Sequence, residues 1–179
     1  MIRCAACQFD NPDGMRFCGG CGQPLEARAA ADRRQLTVMF CDLVGSTALA
    51  DRLDPEELVD LVRAYQDAAG QAIRRFEGHV AQHLGDGLLV YFGYPVAHED
   101  DARRAVHASL EMLDGLAALN TRLDPSRRLA VRIGIHTGPV VTGDVGGTAG
   151  RSERLALGST PNVAARLQSA ADAGTILIS

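Results

Sequence analysis

Two aspartates, each set close to glycines, are the first residues of this sequence that suggest chemistry. Asp42 follows the apolar run at residues 36–40 and precedes Gly45, Ser46 and Thr47. The run predicts a buried strand, and the small residues predict a helix start whose backbone N–H groups would hold an anion such as a phosphate. The alternative is that Asp42 only caps that helix.

Asp86 is the second aspartate, and its neighbours Gly85 and Gly87 predict a hairpin turn between strands at residues 78–83 and 88–92. A hairpin tip beside the first strand would bring the two aspartates together. Two carboxylates about 4 Å apart repel by about 4 kcal/mol at an effective dielectric of about 20. The pair therefore predicts a hard divalent cation, Mg²⁺ or Mn²⁺, of the kind that accompanies nucleotide phosphates.

Four cysteines near the start form a second candidate site. Cys4 and Cys7 are separated by ten residues from Cys18 and Cys21, so the chain carries two Cys-x-x-Cys pairs. This spacing is typical of a zinc ribbon, in which four thiolates hold one structural Zn²⁺. Two disulfides or a redox pair are the alternatives, and a reducing cytosol disfavours the first. The fifth cysteine, Cys41, is expected to be a small core residue.

Composition limits the class of protein. The chain has 179 residues, of which 46% are hydrophobic and 22% charged, as expected for one core plus a small appendage. A net charge of −4 argues against a nucleic-acid-binding surface along the length of the chain. We find no apolar run near the ~20 residues that span a bilayer, and the first residues lack a signal-peptide core. A cytoplasmic location without a membrane partner is predicted.

The remaining pattern predicts the elements that position these residues. Helices are predicted at residues 53–76, 99–123 and 160–171, and further strands at residues 129–135, 140–144 and 175–178. A hairpin or bend is predicted at Gly138 and Pro139. This order is that of an α+β, ferredoxin-like fold in which the hairpin strands are central and helices cover one face of the sheet.

Two histidines need an interpretation. A metal site could be assigned to His98, Glu99 and Asp100, but the N-terminus of a helix explains these residues better. His136 is expected to be a core histidine with a satisfied hydrogen bond.

Four stretches carry a resemblance to a known family: FCDLVGST, LGDGLLVYFG, VRIGIHTGPVVTGDVG and LGSTPNVAARLQ. In this order and spacing they resemble the catalytic domain of class III adenylate and guanylate cyclases, over residues 34–179. The resemblance implies a cyclase palm at residues 35–179, after a zinc ribbon at residues 1–25 and a linker at residues 26–34. Family domains continue beyond a segment like residues 176–179 into further strands and a phosphate-binding lysine, so a C-terminally truncated domain of uncertain activity is expected.

The resemblance also implies roles for single residues. Asp42 and Asp86 match aspartates that bind two Mg²⁺ or Mn²⁺ ions. Arg132 matches an arginine that contacts the β- or γ-phosphate, with a surface charge on a strand edge as the alternative. Asn162 and Arg166 match an asparagine that orients the ribose and an arginine that stabilises the transition state. They lie four residues apart, on one face of a helix.

Two positions depart from the pattern of adenine-selective members. Gln82 stands where those members have a lysine, and Leu155 where they have an aspartate. A glutamine can donate or accept a hydrogen bond, whereas a leucine can do neither. The departures predict that ATP is preferred, but with weaker discrimination against GTP than a lysine–aspartate pair gives.

The reaction implied is attack of the ribose 3′-hydroxyl on the α-phosphate, with release of pyrophosphate and formation of a 3′,5′-cyclic nucleotide. In the family, the site is shared across a head-to-tail homodimer, with the aspartates from one subunit and the Asn/Arg pair from the other. Three alternatives are a non-catalytic nucleotide-binding or scaffold module, an inactive fragment of a larger zinc-ribbon cyclase, and a zinc-ribbon adaptor for an unidentified protein, whose attached domain is incidental. A diguanylate cyclase is disfavoured because the hairpin lacks Gly-Gly-Asp/Glu-Glu-Phe.

Overall fold

The computed structural model describes residues 1–25, 32–144 and 154–179, without the side chains of residues 32, 143, 144, 154 and 155. The first part contains two short antiparallel strands, β1 (Ile2–Arg3) and β2 (Asp10–Asn11). The expected linker at residues 26–34 lies partly outside the described residues. Its last three residues belong to a strand, because β3 begins at Asp32.

The rest of the chain alternates strands and helices. The strands are β3 (Asp32–Leu43), β4 (His79–Leu84), β5 (Gly87–Phe92), β6 (Val131–Asp144), β7 (Arg154–Leu157) and β8 (Ile176–Ile178). The helices are α1 (Ser46–Ala50), α2 (Pro55–Arg75), α3 (Asp101–Asn120) and α4 (Ser159–Ala170), with a 3₁₀ turn at Pro125–Arg127. The predicted helices are therefore confirmed, as are the predicted strands, except that those at residues 129–135 and 140–144 form one strand. Strand β7 is an additional strand that the sequence patterns do not predict. No described helix is both long enough and apolar enough to span a bilayer.

The sheet has the order β4-β5-β3-β6-β7, and β8 pairs in parallel with β6. The prediction that the hairpin strands are central is wrong, because β4 ends this path and β3 and β6 occupy the middle. These two strands have 12 and 14 residues and pair without a break from Asp32 opposite Thr142 to Leu43 opposite Val131. Their length gives them the largest number of backbone hydrogen bonds to neighbours on both sides.

The predicted break at Gly138 and Pro139 is also wrong, because β6 continues through both residues. Pro139 has no N–H to donate to a neighbouring strand. It lies between the segment of β6 that pairs with β8, residues 133–135, and the segment that pairs with β7, residues 141–144. The missing donor therefore falls where no described strand pairs with that edge of β6.

Helices lie on both faces of the sheet, so the prediction of a single covered face is wrong. Met39 and Cys41 of β3 pack with α2 and α3, and Cys41 is buried as predicted. Leu36 and Val38, on the opposite face of β3, pack with Ala164 of α4. This alternation follows from the two-residue period of a strand.

The predicted roles of the two histidines can be compared with their contacts. Helix α3 begins just after Asp100, and the backbone N–H of His98 donates to Asp101 Oδ2 at 2.8 Å, as expected for a helix N-terminus. His136 is half-buried rather than fully within the core, and its Nδ1 lies 2.8 Å from Ser179 Oγ.

Candidate functional site

Asp42 lies near the C-terminal end of β3, directly opposite Arg132 of β6. Arg132 Nη2 donates to Asp42 Oδ2 at 3.3 Å, and both side chains are about one-third exposed. Helix α1 has no side-chain cap, and Gly45 precedes it with a φ of 74°. Asp42 is therefore part of an ion pair and does not cap α1.

The hairpin between β4 and β5 brings the loop that carries Asp86 against the end of β3. A Cβ atom at Gly87 would lie 3.0 Å from the backbone oxygen of Cys41 and 3.2 Å from Asp42 Oδ1. Only a glycine allows this approach without displacing the β3 backbone. The structure thus places the Asp42 carboxylate beside the Asp86 loop, as the sequence predicts.

Two polar atoms of this cluster are buried without a hydrogen-bond partner among the described residues: Asp86 Oδ2 and Arg132 Nε. An unsatisfied buried group costs about 1–3 kcal/mol, more when it is charged, unless a ligand satisfies it. Carboxylate oxygens are the ligands that Mg²⁺ and Mn²⁺ prefer. The residues present at this end of the sheet therefore fit a hard divalent cation.

The face of β3 opposite Asp42 is apolar next to this cluster. Cys41 is buried, and the Tyr65 hydroxyl donates to its Sγ at 3.4 Å. Burial raises the pKa of the Cys41 thiol to about 11 and also raises the pKa of the Tyr65 hydroxyl. Both groups stay neutral near pH 7, so neither competes with the aspartates for a cation.

An open pocket of about 570 Å³ adjoins Asp86 and is also lined by Ser46 and Thr47 of α1. Across it, Gln66 Nε2 of α2 donates to the backbone oxygen of Gly85 at 3.2 Å and so connects α2 to the hairpin tip. Helix α1 has only five residues. Anion binding here would depend on its first backbone N–H groups, which have no intrahelical acceptor.

Gln82 belongs to the same face of the sheet as Asp42 and Arg132. It pairs with Leu89, which pairs with Phe40, and Phe40 lies two residues before Asp42 on β3. Two residues of strand span about 7 Å. Gln82 therefore shares the sheet face of Asp42 but lies two strands away from β3.

Leu155 is on β7, opposite Gly143, at the other side of the sheet from β4. Its side chain lies outside the described residues. The strands that carry Gln82 and Leu155 are not neighbours in the sheet, so strand pairing does not bring these two residues together.

Asn162 and Arg166 are exposed on α4. Within the described residues, neither side chain forms a hydrogen bond or ion pair with Asp42, Asp86 or Arg132. The structure thus brings the aspartates and Arg132 together but leaves the Asn/Arg pair facing outward.

The four cysteines of the first part are free, and their Sγ atoms all lie within 4.8 Å of one another. Cys4 Sγ is 3.6 Å from Cys21 Sγ, and Cys7 Sγ is 3.5 Å from Cys18 Sγ. A disulfide needs about 2.05 Å, whereas four sulfurs at about 2.3 Å from one zinc ion are about 3.8 Å apart. The arrangement fits a tetrahedral Zn²⁺ site and not two disulfides.

Donors around Cys18 support this site, and one of them was missed in the sequence. The N–H of Gly20 donates to Cys18 Sγ at 3.3 Å, and Nδ2 of the fully buried Asn11 lies 3.5 Å away. Desolvation alone would raise the pKa of Cys18, but these donors and the N–H of Cys21 outweigh it and lower the pKa to about 6. The only sequence signal for Asn11 is its position between the two cysteine pairs.

Comparison with known proteins agrees with the fold and the site. Residues 29–179 match the family model described as the adenylate and guanylate cyclase catalytic domain. The chain is 33% identical over 141 residues to adenylate cyclase 1 of Rhizobium meliloti (strain 1021). The aligned region covers 78% of this chain and 21% of that protein. It therefore spans about a fifth of the length of this curated relative.

Two solved structures are also similar. The guanylyl cyclase Cya2 is 35% identical with a TM-score of 0.77, over 83% of this chain and 76% of that one. The adenylyl cyclase CyaB from P. aeruginosa is 32% identical with a TM-score of 0.77, over 83% and 78% of the two chains. Since the family match includes most of the 179 residues and the fold agrees, this chain belongs to the adenylate and guanylate cyclase catalytic domain family.

Proposed function

We propose that this chain is a purine nucleotide cyclase, which converts ATP, and less readily GTP, to the 3′,5′-cyclic nucleotide and pyrophosphate. One observation carries the proposal: the Asp42 carboxylate pairs with Arg132 and lies against the Asp86 loop, where Asp86 Oδ2 is buried without a partner among the described residues. Similar proteins named adenylyl and guanylyl cyclases support the choice of a purine substrate.

Asp42 and Asp86 would hold two Mg²⁺ or Mn²⁺ ions. Bound there, the metals would supply an activated 3′-hydroxyl and a neutralised pyrophosphate leaving group. Arg132 would donate to the β- or γ-phosphate, and the first backbone N–H groups of α1, near Ser46 and Thr47, would bind the phosphate chain.

Asn162 and Arg166 would orient the ribose and stabilise the charge that builds on the α-phosphate. A guanidinium suits the second role because it donates a rigid fork of N–H groups to phosphate oxygens. Both residues face outward on α4, and we therefore place them in the site of the second subunit of a head-to-tail homodimer.

Incubation with Mn²⁺ and each nucleoside triphosphate, followed by chromatography, tests this function. We expect 3′,5′-cyclic AMP as the main product and its loss in Asp86→Asn. Asp114→Asn, at an exposed position on α3, makes the same change in charge and should keep activity. Triphosphate binding without any cyclic product would favour the non-catalytic nucleotide-binding module instead.

The same assay tests the choice of base. We expect turnover of ATP to exceed that of GTP by much less than ~10⁴-fold, the level that strict hydrogen-bond readout gives. The reason is that Gln82 and Leu155 leave fewer polar groups unpaired when the wrong purine binds. A preference for ATP above that level would contradict this prediction.

The four cysteines would hold one structural Zn²⁺ in a unit separate from the nucleotide site. Cys18→Ser should abolish zinc binding, measured as metal per chain, and change Mn²⁺–nucleotide affinity by no more than a few fold. Cys41→Ala should keep full zinc content, because Cys41 is buried in the sheet and is not one of the clustered thiols. Joint loss of zinc and nucleotide binding in Cys18→Ser would show that the two sites depend on each other.

A further inference from the structure

We propose that Arg132 couples metal binding to triphosphate binding by competing with the metal for Asp42. The inference rests on the proposed function, since it assumes that Asp42 and Asp86 hold divalent cations. It goes further by giving Arg132 a role before the nucleotide arrives.

The two oxygens of the Asp42 carboxylate have different neighbours. Oδ2 accepts from Arg132 Nη2 at 3.3 Å, whereas Oδ1 is directed toward the hairpin tip and would lie 3.2 Å from a Cβ at Gly87. Asp42 and Arg132 are also opposite each other in the β3–β6 register, so their backbones hold the pair together. Arg132 thus occupies one oxygen of the carboxylate that would bind the metal.

A dication on Asp42 would come close to a guanidinium that is always protonated. Like charges repel strongly at such distances when they are only partly exposed to water, and both side chains here are about one-third exposed. Divalent metal alone should therefore bind weakly for as long as Arg132 stays on Asp42.

A bound triphosphate would draw the Arg132 side chain away from Asp42. Its described contact with Asp42 is a single long hydrogen bond, and its Nε is buried without a partner among the described residues. A guanidinium fork pairs well with phosphate oxygens, often through two hydrogen bonds. The triphosphate would satisfy Nε and free Asp42 Oδ2 for the metal, and by linkage the metal would favour the triphosphate to the same degree.

Mn²⁺ binding, followed by electron paramagnetic resonance, tests the coupling with and without a non-cyclisable α,β-methylene analogue of ATP. The wild-type chain should bind Mn²⁺ at least ~30-fold more tightly when the analogue is bound, within the usual range of coupling between sites. Arg132→Gln should bind Mn²⁺ alone about tenfold more tightly than wild type and lose most of the gain from the analogue. Because the first effect is a gain of affinity, misfolding cannot produce it.

Two further variants complete the test. Arg132→Lys keeps the charge but lacks the guanidinium fork, so it should bind Mn²⁺ alone as weakly as the wild type and lose part of the gain from the analogue. Arg128→Gln removes an exposed arginine nearby in sequence and should change neither affinity. Equal Mn²⁺ affinity in wild type and Arg132→Gln, with loss of binding in Asp86→Asn, would overturn the coupling and leave the proposed function intact. Mn²⁺ binding that ignores Asp86→Asn in every variant would instead overturn the metal site on which both proposals rest.

Discussion

An equal mixture of Asp42→Ala and Arg166→Ala subunits should recover about a quarter of wild-type cyclase activity, although each variant alone should be nearly inactive. Asp42→Ala removes a metal ligand from one half of the site. Arg166→Ala removes a preorganised donor to the transition state, which costs about 3 kcal/mol or more. Random pairing makes about half of the dimers hybrid, and each hybrid has one intact site of two.

The chromatographic assay for cyclic product measures the recovery, and subunit exchange must be followed separately, for example with differently tagged chains. Two variants that damage the same half, Asp42→Ala and Asp86→Asn, form the matched control and should recover nothing when mixed. If the first mixture stays inactive although subunits exchange, the shared site is refuted and the scaffold interpretation becomes the better one.

Gly134→Ala should destabilise the fold by at least about 3 kcal/mol, the upper range for overpacking a core. A Cβ at this position of β6 would lie 2.7 Å from Gln168 Cα and would also collide with the backbone of Ala164. These contacts are with the backbone of α4, so no change of side-chain rotamer relieves them. Since α4 carries Asn162 and Arg166, the substitution should also displace the proposed half-site.

Urea unfolding measures the loss of stability, with Gly115→Ala as the control. A Cβ at Gly115, on α3, meets only Ala68 Cβ at 3.9 Å, and replacing a helical glycine by alanine gains up to about 1 kcal/mol. A loss below about 1 kcal/mol in Gly134→Ala would mean that α4 can move away from the sheet without cost.

Local patterns were sufficient for much of this protein. The apolar spacing of α2, with Leu61, Tyr65 and Ile73 buried on one side, is visible in the sequence because a helix repeats every 3.6 residues. The cysteine spacing and the glycines around Asp86 likewise predicted a clustered thiol site and a hairpin, since turns and knuckles depend on a few adjacent residues. The resemblance to the cyclase family also came from short stretches of adjacent residues.

Only the tertiary structure decided which strands are central, which face α4 covers and what Arg132 contacts. Strand order and helix placement depend on pairs of residues far apart in the chain, such as Asp42 and Arg132, which are 90 positions apart. Pro139 predicted a break locally, but the gap between β8 and β7 along β6 removes the need for its missing N–H. The sequence left Arg132 as either a phosphate ligand or a surface charge, and the β3–β6 register makes it the ion-pair partner of Asp42.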